Sequence, residues 1–154
     1  MFEITETSIN KHRVDKLYSN PRVGGLVTFE GLVRNHNEGF NVSSLEYQAY
    51  EAMAVTEGNK VIAEAKELYD AVDIYCIHRT GHLQIGDCAV YVIASGEHRK
   101  ECFDACMYVI DTVKTRVPIW KKEHYVDRPA VWVECHSCQE AARDHNHSKD
   151  CGHD

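Results

Sequence analysis

The chain has 154 residues, 44% hydrophobic and 27% charged, with a formal net charge of -7. Those proportions describe one ordinary globular domain, long enough to bury a core. The acidic balance argues against a general nucleic-acid binder, which needs a broad basic face. The longest apolar runs, such as 89–94, fall far short of the roughly 18 residues that cross a membrane. The start, MFEITE, lacks a basic stretch followed by an apolar one, so no secretory signal is expected. Seven cysteines without such a signal are expected to stay reduced, in the cytoplasm, and an odd number fits a full disulfide framework poorly.

In chain order, the pattern predicts a short strand at residues 2–5 and a helix over about 8–19. Gly24 and Gly25 open a strand at 26–34, which ends in the turn-prone run Asn35, His36, Asn37, Glu38 and Gly39. Another strand covers about 42–49. A long helix follows over 51–69, with Met53, Val61, Ile62, Ala65 and Leu68 near one face. Strands are expected at about 72–79 and 87–94, joined by a connector at 81–87. A second long helix runs over about 97–115, with Phe103, Met107, Ile110 and Val113 as its core stripe. A final strand lies at 130–134. Strands interleaved with two long helices indicate an α+β fold with a mixed or antiparallel sheet. The domain occupies 1–134, and 135–154 form a separate Cys/His-rich tail.

The run 114–123, KTRVPIWKKE, places four cations in nine positions of an acidic protein. A helix that ends near Arg116, breaks at Pro118 and resumes as an extended segment can turn Lys114 and Lys121 toward one pocket. Two lysines there suit a carboxylate or a phosphate. The plainer reading is a cation favoured in the last helical turn and a solvated strand face. At the start of the same helix stand Ser95, Gly96, Glu97, His98, Arg99 and Lys100. Ser95 is a reasonable cap, but three basic side chains oppose the helix dipole, and a bound anion would remove the conflict. The alternative is that all three point into water. Arg34 closes a strand next to a turn, a common place for a binding residue.

The tail carries Cys135, Cys138, His145, His147, Cys151 and His153, whose types and C-x-x-C spacing make them zinc candidates. A polar terminus without a bound metal is the competing reading. Cys76, Cys88, Cys102 and Cys106 fall in predicted strands or on the helix and read as small buried hydrophobes. Tyr47, Tyr50 and Trp120 read as core or interface aromatics. There is no G-x-S-x-G, P-loop or G-x-G-x-x-G.

Five pieces occur in order across about residues 20–134: FEGLVRNHN at 29–37, LEY at 45–47, IHRTG at 77–81, SGEHR at 95–99 and KTRVPIWKKE at 114–123. Together they resemble the large, catalytic subunit of molybdopterin synthase. That resemblance implies an α/β hammerhead fold and a central homodimer, with a small ubiquitin-like subunit at each end of a heterotetramer. The small subunit would bring a C-terminal thiocarboxylate into the pocket. Sulfur would pass to cyclic pyranopterin monophosphate in two transfers, forming the dithiolene of molybdopterin for molybdenum cofactor biosynthesis. Carried over by position, Lys114 is the main catalytic candidate, beside the partner's terminal carbonyl, and Lys121 supports it. Arg34, His98 and Arg99 would hold the phosphate and pterin, with Leu32, Val33, Lys122 and Glu123 lining the same regions.

Such a transfer requires no metal or redox cofactor. Positive charge would stabilise the anion that builds as sulfur attacks or leaves. The family's usual C-terminus has no Cys/His-rich segment, so contacts made by that end, including any by Arg143, are not carried over. Two other classes remain: a non-catalytic adaptor that binds a ubiquitin-like tail or phosphorylated ligand, and a metal-handling protein that acts through its tail.

Overall fold

The computed structural model describes residues 1–11, 16, 17 and 19–133. Short strands of β-branched and aromatic residues alternate with two long helices. In order they are β1 (Phe2–Thr5), β2 (Gly25–Leu32), β3 (His36–Asn37), β4 (Phe40–Ala49), α1 (Glu51–Tyr69), β5 (Asp73–Arg79) and β6 (Gly81–Gln84). Then come β7 (Cys88–Gly96), α2 (Arg99–Arg116), β8 (Ile119–Tyr125) and β9 (Val131–Val133). The first sheet is four-stranded, in the order β1-β5-β7-β2. Within it β1 runs parallel to β5 and the other pairs are antiparallel. The second sheet is built on β4, which pairs with β8 along one edge and with β3 and β6 along the other. Strand β9 extends it beyond β8.

Strand β7 is buried from its second residue to its end, because both faces of its sheet are covered. Helices α1 and α2 cover one face, packing Val61, Ile62, Ala105, Val109 and Val113 against Ile74, Val92 and Ala94. On the other face Leu17, with Ile9 and Leu26, packs on Tyr91 and Ile93. Each fully buried Val or Ile contributes roughly 1.5–3 kcal/mol relative to exposure. A smaller core of Val33, Val42, Leu45, Leu83 and Ala89 fills the space beside the second sheet.

Both helix faces differ from the expected stripes. Val61, Ile62 and Ala65 are buried in α1, but Met53 and Leu68 are exposed. In α2 the buried face is Cys102, Ala105, Cys106, Val109, Ile110 and Val113, while Phe103 and Met107 are 61% and 62% exposed. Small side chains at helical spacing let the helix lie close on the sheet, and the two larger residues turn outward. Within 8–19 the described residues contain no α-helix. The connector at 81–87 begins as a strand, β6, that pairs with β4. The turn after β2 is a hairpin in which Glu38 and Gly39 take φ of 49° and 84°, the left-handed pair that a tight two-residue connection demands. Cys76, Cys102 and Cys106 are buried and Cys88 is partly so, all as free thiols. Burial raises the pKa of Cys76, of Cys88 and of Cys106, the last to about 11.

Candidate active site

The helix–proline–strand hinge delivers what its pattern suggested. Helix α2 ends at Arg116, Val117 takes an extended conformation, and β8 starts at Ile119. Lys114 from the last turn of α2 and Lys121 from β8 then line one cleft of about 780 Å³. Arg34, Asn37, Tyr47, His78 and Glu123 line it too, drawn from several elements around β4. The cations Arg34, Lys114 and Lys121 outnumber the two lining carboxylates, Asp111 and Glu123. The cleft therefore suits an anion although the chain as a whole is acidic.

Glu123 organises one wall. It is 1% exposed and stays charged because every side of it is met. The ammonium of Lys121 lies 3.1 Å from its Oε1. The Asn37 amide donates to both carboxylate oxygens at 3.0 and 3.1 Å, and the Tyr125 hydroxyl donates a short hydrogen bond. Burial alone would raise the carboxyl pKa. Hydrogen bonds from Tyr125, Asn37 and Lys121 outweigh it and hold the group below its usual range. The same contact raises the Tyr125 pKa. Asn37 also accepts from Arg34 Nη2 at 3.0 Å, so a continuous polar chain links Arg34 to Lys121.

Lys114 is held differently. It is exposed at the cleft and has no hydrogen-bond or ion-pair partner among the described residues. His78 lies beneath the cleft, its ring edge-on to Tyr47 at 4.9 Å. Burial depresses its pKa to about 4, opposed by its hydrogen bond to the Arg79 carbonyl and reinforced by nearby Lys114. Nδ1 contacts that carbonyl oxygen at 2.9 Å, so it carries the proton of a neutral ring.

Of the other predicted residues, Leu32 lines the cleft, but Val33 is buried in the small core beside it. Lys122 points to the opposite face of the sheet from Lys121 and Glu123, because strand neighbours alternate; its ammonium lies over Trp132, 5.5 Å from the ring centroid. Arg116 joins the helices, with its guanidinium forked onto Glu57 and Glu64 of α1 at 2.6 Å each. His98 and Arg99 are exposed at the far end of α2. Fifteen residues of helix separate Arg99 from Lys114, about 22 Å at 1.5 Å per residue. Ser95 does not cap α2; it is a fully buried residue of β7 whose hydroxyl is hydrogen-bonded to both the N–H and the carbonyl of Asp73. His98 is the cap residue, and its N–H donates to Glu101 at 3.1 Å. An internal carboxylate thus already answers part of the dipole there. The tail candidates Cys135, Cys138, His145, His147, Cys151 and His153, like Arg143, lie outside the described residues.

Asn37, His78 and Tyr125 escaped the sequence reading as site residues. Asn37 and His78 fall within the recognised runs 29–37 and 77–81, which was the one available signal.

An α+β scaffold whose helix end and strands bring two lysines and an arginine to one cleft is suited to an anionic group. Comparison with known proteins narrows this. A family model described as MoaE protein matches residues 4–116. The molybdopterin synthase catalytic subunit of a Nostoc species is 39% identical over 143 residues, 92% of this chain and 87% of that one. The crystal structure of molybdopterin synthase from Staphylococcus aureus superposes with a TM-score of 0.80 at 36% identity, covering 86% of this chain and 96% of that one. A complex of subunits 1 and 2 of molybdopterin-converting factor from Helicobacter pylori shares the fold, with a TM-score of 0.69 at 23% identity over 86% and 90% of the two chains. The chain belongs to the MoaE family, that of the molybdopterin synthase catalytic subunits.

Proposed function

We propose that this chain transfers sulfur from the C-terminal thiocarboxylate of a small ubiquitin-like subunit to cyclic pyranopterin monophosphate, building the dithiolene of molybdopterin in two steps. The observation that carries the reading is the convergence of Lys114, Lys121 and Arg34 on one cleft. Both the thiocarboxylate and the substrate phosphate are anions, and fixed cations stabilise the charge that develops between them. The two lysines divide the work. Lys121 is pinned by Glu123 and serves as a fixed charge. Lys114 has no such tether and meets the thiocarboxylate carbonyl, while Arg34 takes the phosphate side.

His98 and Arg99 lie too far from Lys114 to serve the same chain's cleft. In the homodimer we infer, they serve the cleft of the second copy, and a small subunit at each end completes a heterotetramer. The complex described for the Helicobacter relative supports a two-subunit arrangement. No described helix is long and apolar enough to cross a membrane, and the free thiols suit a reducing compartment; we place the enzyme in the cytoplasm.

The test is dithiolene formation from cyclic pyranopterin monophosphate with a thiocarboxylated small subunit. Lys114→Ala is expected to lower turnover by at least about 100-fold while binding of the small subunit stays within a few-fold. Full turnover by the variant would refute the role of Lys114. A well-folded wild type that binds the small subunit but makes no product would favour an adaptor.

A further inference from the structure

The outer face of the second sheet, turned away from the cleft, carries a cluster that sulfur transfer does not use. Glu46 on β4 stands directly across from His82 on β6. On its other side β8 places His124 diagonally, since His124 pairs with Ser44 and Lys122 pairs with Glu46. One ligand atom from each of Glu46, His82 and His124 lies within 4.8 Å of the others. The two imidazole rings are 5.3 Å apart, centroid to centroid. Glu46 Oε2 and His124 Nε2 are 3.4 Å apart. Ligands about 2.1 Å from a tetrahedral zinc ion are themselves separated by about 3.4 Å.

We propose that Glu46, His82 and His124 bind one divalent ion of the zinc class. The donor set, two imidazoles and a carboxylate, is one that zinc takes with a fourth position left to water. The carboxylate is oriented for it. Gln48 donates to Oε1 at 3.2 Å, which leaves Oε2 to the histidines and supplies the outer-shell support that metal ligands need. Lys122, which pairs with Glu46 across β4 and β8, turns its ammonium over Trp132. All three ligands sit on adjacent hydrogen-bonded strands, so little ordering is required before the ion arrives. The ion joins β4, β6 and β8 from outside, one residue away from Tyr47 and Glu123 on the cleft side.

The Cys/His-rich tail requires a design that separates the two sources of binding. Zinc is titrated calorimetrically into the full-length chain with Cys135, Cys138, His145, His147, Cys151 and His153 replaced by Ser or Ala, and cobalt is added in parallel for its visible absorption. One zinc ion per chain, a higher Tm with zinc, and tetrahedral cobalt bands are expected. His82→Ala together with His124→Ala in that background should abolish all three. Gln48→Ala should weaken binding about 10-fold and keep the stoichiometry. Circular dichroism of each metal-free variant confirms its fold, as expected for substitutions on a solvent-facing surface. No zinc bound by the tail-substituted chain, or binding unchanged by the double histidine substitution, would overturn the proposal.

Discussion

At the scale of single residues, the site is defined by how each ionisable group is surrounded. Glu123 keeps its charge through three donors. His78 has one backbone acceptor and a nearby ammonium, and stays neutral. Its folded pKa, about 4, lies below the ordinary value near 6.5. As pH falls, the unfolded chain therefore takes up the proton first. The stability tied to neutral His78 is complete above about pH 6.5 and is lost as pH drops toward 4, by an amount of order 3 kcal/mol. Denaturant midpoints of the wild type and His78→Gln, followed between about pH 7 and pH 4, check this. The wild type should lose stability more steeply through that window. Parallel profiles would mean that burial does not depress the His78 pKa.

At the scale of elements, the contact between β1 and α1 shows how one small residue admits a large one. Phe2 is 1% exposed, its N–H is held by Asn59 Oδ1 at 3.0 Å, and its ring lies over Gly58 of α1. A Cβ on Gly58 would sit 2.2 Å from Phe2 Cγ. Replacing a mid-helix glycine by alanine ordinarily gains up to about 1 kcal/mol. Here the buried ring cannot retreat, and overpacking costs about 1–3 kcal/mol, so Gly58→Ala should be destabilising in urea titration. Phe2→Leu combined with Gly58→Ala should recover part of the loss, a coupling that independent sites would not show.

The same scale shows what could be read from the chain beforehand. Both long helices were legible from their 3.6-residue period, and the convergence of Lys114 and Lys121 from the break at Pro118. The buried face of α2 was not, because close approach to a sheet selects Cys102, Ala105 and Cys106 over the more hydrophobic Phe103 and Met107. Strand β6 was hidden because Leu83 is the one apolar residue in GHLQ. Asn37 could not be tied to Glu123, since 86 residues separate them and the second sheet alone brings them together.

At the scale of the whole molecule, the length of α2 separates two groups of basic residues. Arg99 lies about 22 Å along the helix from Lys114, so both act on one substrate only if two copies combine. A twofold dimer places each surface of one copy against the corresponding site of the other. Dimers of pure Lys114→Ala and of pure Arg99→Ala are then both inactive. When the two variants are mixed and re-equilibrated, each heterodimer has one cleft with both defects and one with neither. Half the dimers are mixed at equal input, so activity should return to about a quarter of the wild-type level per chain. If Arg99 acted on its own chain's cleft, every cleft in every dimer would carry one defect and the mixture would stay inactive. The measurement is dithiolene formation after mixing, with subunit exchange verified by native mass spectrometry. Verified exchange without restored activity would remove Arg99 from the neighbouring cleft.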